Sequence, residues 1–318
     1  MDSSLSDIKK MLAEMSPEEQ RKALAILRFS ALSAMGARGE APKTKNPKNP
    51  KNPVTGLATG FIDLDRMTTG LHSSDYVLVA ARPSMGKTTL ALNIIQNAVF
   101  RDGKSAAIFS LEMSRGILMN LLFAQESRVD IQNIRTGSLS SEDWGKLLES
   151  TDTIGQSNLI IDDTPGISVS ELRSKCLKFK LEHGLDLVVI DYLQLMSGSS
   201  KVGENRRQEI SDISRGIKAL ARELDIPIIV LSQLSRALEL RYDKRPMMSD
   251  FESGVNAAQD ADIVMFLYRD EYYNKDTDAK GIAELIIGKQ RNGPVGTIQL
   301  IWMPNYFKFA NMNKERRE

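Results

Sequence analysis

The chain is poor in the residues that build covalent or metal-held frameworks. Cys176 is its only cysteine, so neither an internal disulfide nor a cysteine-rich zinc site can form. His72 and His183 are its only histidines and lie far apart, which argues against a histidine triad or a two-histidine metal centre. The formal net charge is only +1, so no global basic field announces nucleic acid, and any such site must be a local patch. No apolar run is long enough to span a bilayer, and the polar start MDSSLSDIKK lacks a signal-peptide pattern. The expected setting is a reducing cytoplasm. Cys176, inside the helical pattern SELRSKCLKFKL, reads as a packing residue.

What is present falls into three parts. In residues 1–35, Leu5, Ile8, Leu12 and Met15 form an apolar stripe at helical spacing. Ser16-Pro17-Glu18-Glu19 then supplies an N-cap, a proline at the first helical position and a capping-box glutamate, so a second helix is expected from Pro17 to Met35. Residues 36–53 repeat KNP three times in tandem, with five basic residues against one acidic. Proline at every third position forbids helix and favours an extended, solvated linker.

From Val54 the pattern changes to near-continuous apolar runs: YVLVAA, AAIFSL, NLIIDD, DLVVID, IPIIVLS and DIVMFLY. Such runs suit strands buried on both faces of a parallel sheet, and helical segments such as Lys87–Phe100, Glu171–His183 and Glu204–Leu224 fall between them. Near the end, ELIIGKQRNGPVG reads as an antiparallel hairpin whose Asn292-Gly293 pair tolerates the positive φ of a tight turn. Lys289 and Arg291 then project from one face of its rim. The expected fold is one α/β domain over 54–318, mostly parallel with an antiparallel edge, behind a short helical segment.

The chemistry concentrates at strand ends. Ala81-Arg82-Pro83-Ser84-Met85-Gly86-Lys87-Thr88 follows the first strand and opens a helix, the context that a phosphate-binding loop requires, although Ala81 replaces the usual first glycine. Residues Arg82 to Thr89 are the expected cradle for a triphosphate, with Lys87 on the β/γ oxygens and the Thr88 hydroxyl on Mg²⁺. Asp191 ends DLVVID, placed to complete the Mg²⁺ shell. Glu112 closes AAIFSL, where a carboxylate can polarise an attacking water. Gln233, just past IPIIVLS, is a neutral hydrogen-bonding group suited to sensing the γ-phosphate.

Several stretches, among them AARPSMGKTTLALNI, FSLEMS, DLVVIDYLQLM, LSQLSR, KRPMMSD, QDADIVMFLYRDEYYN and KQRNGPVG, occur in an order that resembles the C-terminal motor domain of DnaB-type replicative DNA helicases. The resemblance runs from about Val54 to Phe309. It implies a RecA-like ATPase that uses ATP and Mg²⁺ and assembles as a ring, usually a hexamer. Single-stranded DNA threads the channel of such a ring, which moves 5′ to 3′ and unwinds the duplex ahead. It also implies a finger role for Lys289 and Arg291, reaching the γ-phosphate held by an adjacent subunit. A helicase loader is a further partner that the resemblance allows. Primase binding is not carried over, because only about 35 helix-forming residues precede the linker here. One of the short helices is expected to stand in for the family's linker helix, which docks on the next subunit.

The family's channel loop, close to SDLRESG, reads Ser249-Asp250-Phe251-Glu252-Ser253-Gly254 in this chain, without its arginine. Glu252 and Gly254 match DNA-contacting positions, and the backbone N–H groups of Ser253 and Gly254 can grip a phosphate. The basic stretch carrying Lys201, Arg206 and Arg207 is the other expected DNA contact. Two alternatives share the phosphate loop: a RecA-fold recombination ATPase, and an accessory subunit that joins and modulates a host helicase ring.

Overall fold

A computed structural model describes residues 2–35, 54–197, 206–251 and 255–312. Its helices are α1 (Asp2–Glu14), α2 (Pro17–Ala34), α3 (Ile62–Thr68), α4 (Lys87–Gln96), α5 (Arg115–Ser127), α6 (Ile131–Thr136), α7 (Ser141–Gly155), α8 (Val169–His183), α9 (Arg206–Leu224), α10 (Val255–Asp260) and α11 (Asp270–Tyr273). Its strands are β1 (Tyr76–Ala81), β2 (Ala106–Ser110), β3 (Leu159–Asp162), β4 (Leu187–Asp191), β5 (Ile228–Gln233), β6 (Ile263–Tyr268), β7 (Ile282–Gln290), β8 (Gly296–Met303) and β9 (Lys308–Asn311). All six apolar runs are strands, β1 to β6. The capping box at Ser16 and Glu19 forms, with the Ser16 backbone N–H donating to the Glu19 carboxylate at 2.9 Å.

The strands make one sheet in the order β3-β2-β4-β5-β1-β6-β7-β8-β9. β1 to β6 run parallel, and β7, β8 and β9 continue antiparallel. Side chains alternate across it. Val77, Val79 and Ala81 of β1 face one apolar core with α4, α5 and α7, whereas Tyr76, Leu78 and Ala80 face a second core with α8, α9 and α10. Both layers exclude water from the parallel strands, as their unbroken apolar runs require.

The hairpin differs from expectation at its tip. Asn292 and Gly293 are not among the residues with positive φ, and the ladder between β7 and β8 stops at Ile287 opposite Gly296. The connection is a wide loop instead of a two-residue primed turn, because the last residues of β7 pair with β6 alone.

The N-terminal helices pack on the chain's own α6 and α7. Gln20 is buried and fastens the seam: its amide donates to Ala13 O and Met15 O, and its carbonyl oxygen accepts the buried Leu139 N–H at 3.0 Å. Arg21 donates to Thr136 O at 2.8 Å, and Arg28 to Asn120 Oδ1 at 2.8 Å. Lys201, Glu252, Ser253 and Gly254 lie outside the described residues, as do the side chains of Arg206 and Arg207, although both arginines open α9.

Candidate functional site

Parallel strands present their C-terminal ends along one edge of the sheet, and this edge gathers the expected site. The loop from Arg82 to Gly86 leaves β1; Gln233 ends β5 directly opposite Ala81; Asp191 ends β4; Glu112 follows β2, whose Ser110 is opposite Asp191. Ligands of open α/β sheets bind outside these ends.

The loop wraps tightly. Ser84 and Gly86 both take positive φ, 65° and 103°, and the Leu90 N–H donates to Gly86 O at 2.9 Å as α4 begins. A Cβ on Gly86 would lie 2.9 Å from Cζ of Phe309, so conformation and space both require glycine there. Met85 and Thr89 are buried, whereas Pro83 and Ser84 are exposed. Arg82 departs from a simple phosphate role: its guanidinium is buried and donates to Glu239 Oε1 and Leu234 O, both at 2.8 Å. It braces the loop against the segment after β5.

Thr88 donates its hydroxyl hydrogen to Asp191 Oδ2 at 2.6 Å. Asp191 is fully buried, and its other oxygen, Oδ1, has no hydrogen-bond partner. Burial pushes the Asp191 carboxyl up, and Glu112 adds to this, while the Thr88 hydroxyl and the Lys87 ammonium oppose it. Burial likewise pulls the Lys87 ammonium down, against the attraction of Asp191 and Glu112. An orphaned carboxylate oxygen beside a hydroxyl fits a hard cation that keeps several waters and takes phosphate oxygens. Among the described residues no cluster of three or more His, Cys, Asp or Glu side chains forms a protein-only metal cage, which suits Mg²⁺ better than zinc. Glu112 is exposed at the strand tip; the chain turns after it through Ser110 Oγ, which donates to Met113 O at 2.7 Å.

Four residues at this edge were not anticipated. Gln194 clamps the sensor position, its amide donating to Gln233 O at 3.2 Å and its oxygen accepting the Gln233 N–H at 3.4 Å. Arg269 follows the last residue of β6, stacks 4.5 Å over the Trp302 ring and donates to Ser84 O at 3.4 Å. Its signal was available: like Glu112 and Gln233, it is a polar residue at the end of an apolar run. Trp302 and Phe309 reach Gly86 from the antiparallel edge, which no local pattern announces.

Lys289 and Arg291 lie elsewhere. β7 runs antiparallel to β6, so its end falls at the opposite edge of the sheet, beside Asp262 and the start of β1. Six residues of β1 separate this edge from the phosphate loop, roughly 20 Å at the strand rise per residue. Arg291 makes an ion pair with Asp262 at 3.4 Å, and Lys289 donates to Ala258 O and Gln259 O. Arg291 also lines a cleft of about 240 Å³ with Thr69, His72 and Asp75. Neither cation can reach its own chain's phosphate loop.

A mostly parallel sheet with a phosphate loop, a hydroxyl–carboxylate pair and a strand-tip glutamate along one edge defines a RecA-like P-loop ATPase domain. Residues 56–311 match the family described as DnaB-like helicase C terminal domain, and the chain belongs to that family. It is 55% identical over 261 residues to the replicative DNA helicase DnaB of Geobacillus stearothermophilus and 54% identical over 261 residues to the replicative DNA helicase DnaC of Bacillus subtilis (strain 168). Each match covers 82% of this chain but only 58% of the relative. Among solved structures, an isolated ATPase domain superposes with a TM-score of 0.80 at 43% identity, over 83% of this chain and 94% of that one. A DnaB-like replicative helicase, described with its interactions with primase, gives 0.80 at 42% identity, over 85% and 65%.

Proposed function

We propose that this chain is the motor of a ring-forming, ATP-dependent DNA helicase, hexameric and moving 5′ to 3′ on single-stranded DNA during replication. Its family and the names of its relatives support the class, and a loader that assembles the ring fits the same reading. The observation that carries the trans-acting ring is the placement of Arg291 at the sheet edge opposite the phosphate loop. A head-to-tail neighbour brings that edge against the triphosphate, and repeated head-to-tail contacts close into a ring.

The residues divide the work. Lys87 and the loop N–H groups hold the β/γ oxygens, and Thr88 and Asp191 hold Mg²⁺, which neutralises phosphate charge when bound. Glu112 takes a proton from the attacking water. Gln233, fixed by Gln194, senses the γ-phosphate. Arg291 of the neighbour offsets the charge that develops on the far side.

The test mixes two inactive variants. Arg291→Ala should lose on the order of 10³–10⁵ in turnover, about 4–7 kcal/mol, with nucleotide binding retained. Lys87→Ala should be inactive as well. A mixed ring contains interfaces where an intact loop meets an intact Arg291, so hydrolysis should return. No recovery after confirmed subunit exchange would defeat the trans reading.

A further inference from the structure

The sequence pairs Lys289 with Arg291, yet the chain treats them differently. β7 carries a bulge: Val264 is opposite Lys289 and Met265 opposite Ile287, which leaves Gly288 as the extra residue. A bulge shifts the alternation by one. Ile287 therefore faces the core of α4 and α5, whereas Lys289, two residues later, lies on the α10 side. Only glycine permits this, since a Cβ at 288 would meet Cε2 of Phe266 at 2.5 Å.

The bulge delivers the Lys289 ammonium to the end of α10. Nζ donates to Ala258 O at 2.9 Å and to Gln259 O at 2.6 Å, carbonyls of the last turn. Helix C-termini leave such carbonyls without intrahelical partners, and a cation also suits the negative end of the helix dipole. Burial and the adjacent Arg291 charge both push the ammonium down, so the contact holds a cation that its surroundings otherwise disfavour. Arg291 touches the segment just beyond: its N–H donates to Asp262 O at 2.9 Å and its guanidinium to Asp260 O at 3.5 Å. Asp262 is itself buried and fixed by Lys218 and the Tyr76 N–H.

We infer that Lys289 is a positioning residue, which pins the hairpin tip to the C-terminus of α10 and so sets the aim of Arg291, instead of contacting the neighbour's phosphate itself. The inference rests on the trans role of Arg291 proposed above. Lys289→Met keeps the aliphatic stem and removes the donors. In the isolated chain, without nucleotide, the amides of α10 should exchange faster with solvent. In the assembled protein, kcat should fall by up to about 10²-fold, the effect of a misplacement near 1 Å, with little change in KM. Lys289→Arg, which can also donate to two carbonyls, should restore both. In single-turnover assays of Arg291→Ala, adding Lys289→Met should cost nothing more, since a residue that acts through another has no effect once that other is gone.

Unchanged α10 exchange in Lys289→Met, or a further loss in the Arg291→Ala background equal to that in the parent, overturns the inference. If Arg291→Ala itself leaves turnover intact, the proposed function has failed, whereas the exchange measurement still judges the Lys289 contact.

Discussion

The Thr88 hydroxyl and the Asp191 carboxylate stand 2.6 Å apart, and the second oxygen of that carboxylate is buried with nothing to accept from. The pair is built for a ligand and costs stability without one. Because the folded carboxyl titrates above its ordinary value of 3.8, the folded state binds the extra proton first. Stability therefore falls as pH rises from about 4 through the folded pKa. Asp191→Asn should raise the melting temperature of the nucleotide-free chain at neutral pH, with the gain shrinking toward pH 4, and abolish hydrolysis. Thermal denaturation across pH reads this directly; a gain independent of pH would remove Asp191 titration as its source.

Glu112 is exposed and free to meet water, whereas Lys87 is enclosed between carboxylates. Glu112→Gln should keep ATP affinity and lose about 10²–10⁴-fold in turnover, the range for a general base. Paired measurements of nucleotide binding and phosphate release decide it. Turnover near the starting rate would show that another group activates the water.

Gln20 answers a buried backbone N–H at Leu139. Gln20→Ala should destabilise the seam between α2 and α6–α7 by roughly 1–3 kcal/mol, the penalty for an unsatisfied buried donor. Protease cleavage of residues 1–53 should then become faster while the motor domain stays folded. Equal cleavage of both proteins would mean that the seam does not depend on this bond.

For Arg206 and Arg207, a role in DNA binding predicts a salt effect. Removing one cation that neutralises a phosphate should reduce the slope of log affinity against log salt by roughly 0.7 on single strands. An unchanged slope in the double alanine variant would take both residues out of the DNA site.

Local signals carried most of the parallel half. Unbroken apolar runs marked β1 to β6, and polar residues at their ends marked Glu112, Asp191 and Gln233, because strand and ligand edge are both short-range facts. The antiparallel half was legible only in part. Asn292-Gly293 suggested a tight turn, but pairing of Gln290 and Lys289 with β6 widened the tip. The Gly288 bulge placed Lys289 on α10, against the simple expectation that residues two apart share a neighbour. Arg82 matched a phosphate-loop position, yet Glu239, far along the chain, takes its side chain. These outcomes depend on register and on partners distant in sequence, which no window of residues contains.

The distance between the two functional edges of one sheet sets a counting rule. If each complete site needs the loop of one copy and Arg291 of the next, an open arc of n copies holds n − 1 complete sites. Closing that arc adds one working site without adding a subunit. Prising apart a single junction to admit a strand silences one site and leaves the others intact, so a gapped ring still hydrolyses ATP at every junction but one. Activity per chain should then rise with assembly size and step up at closure.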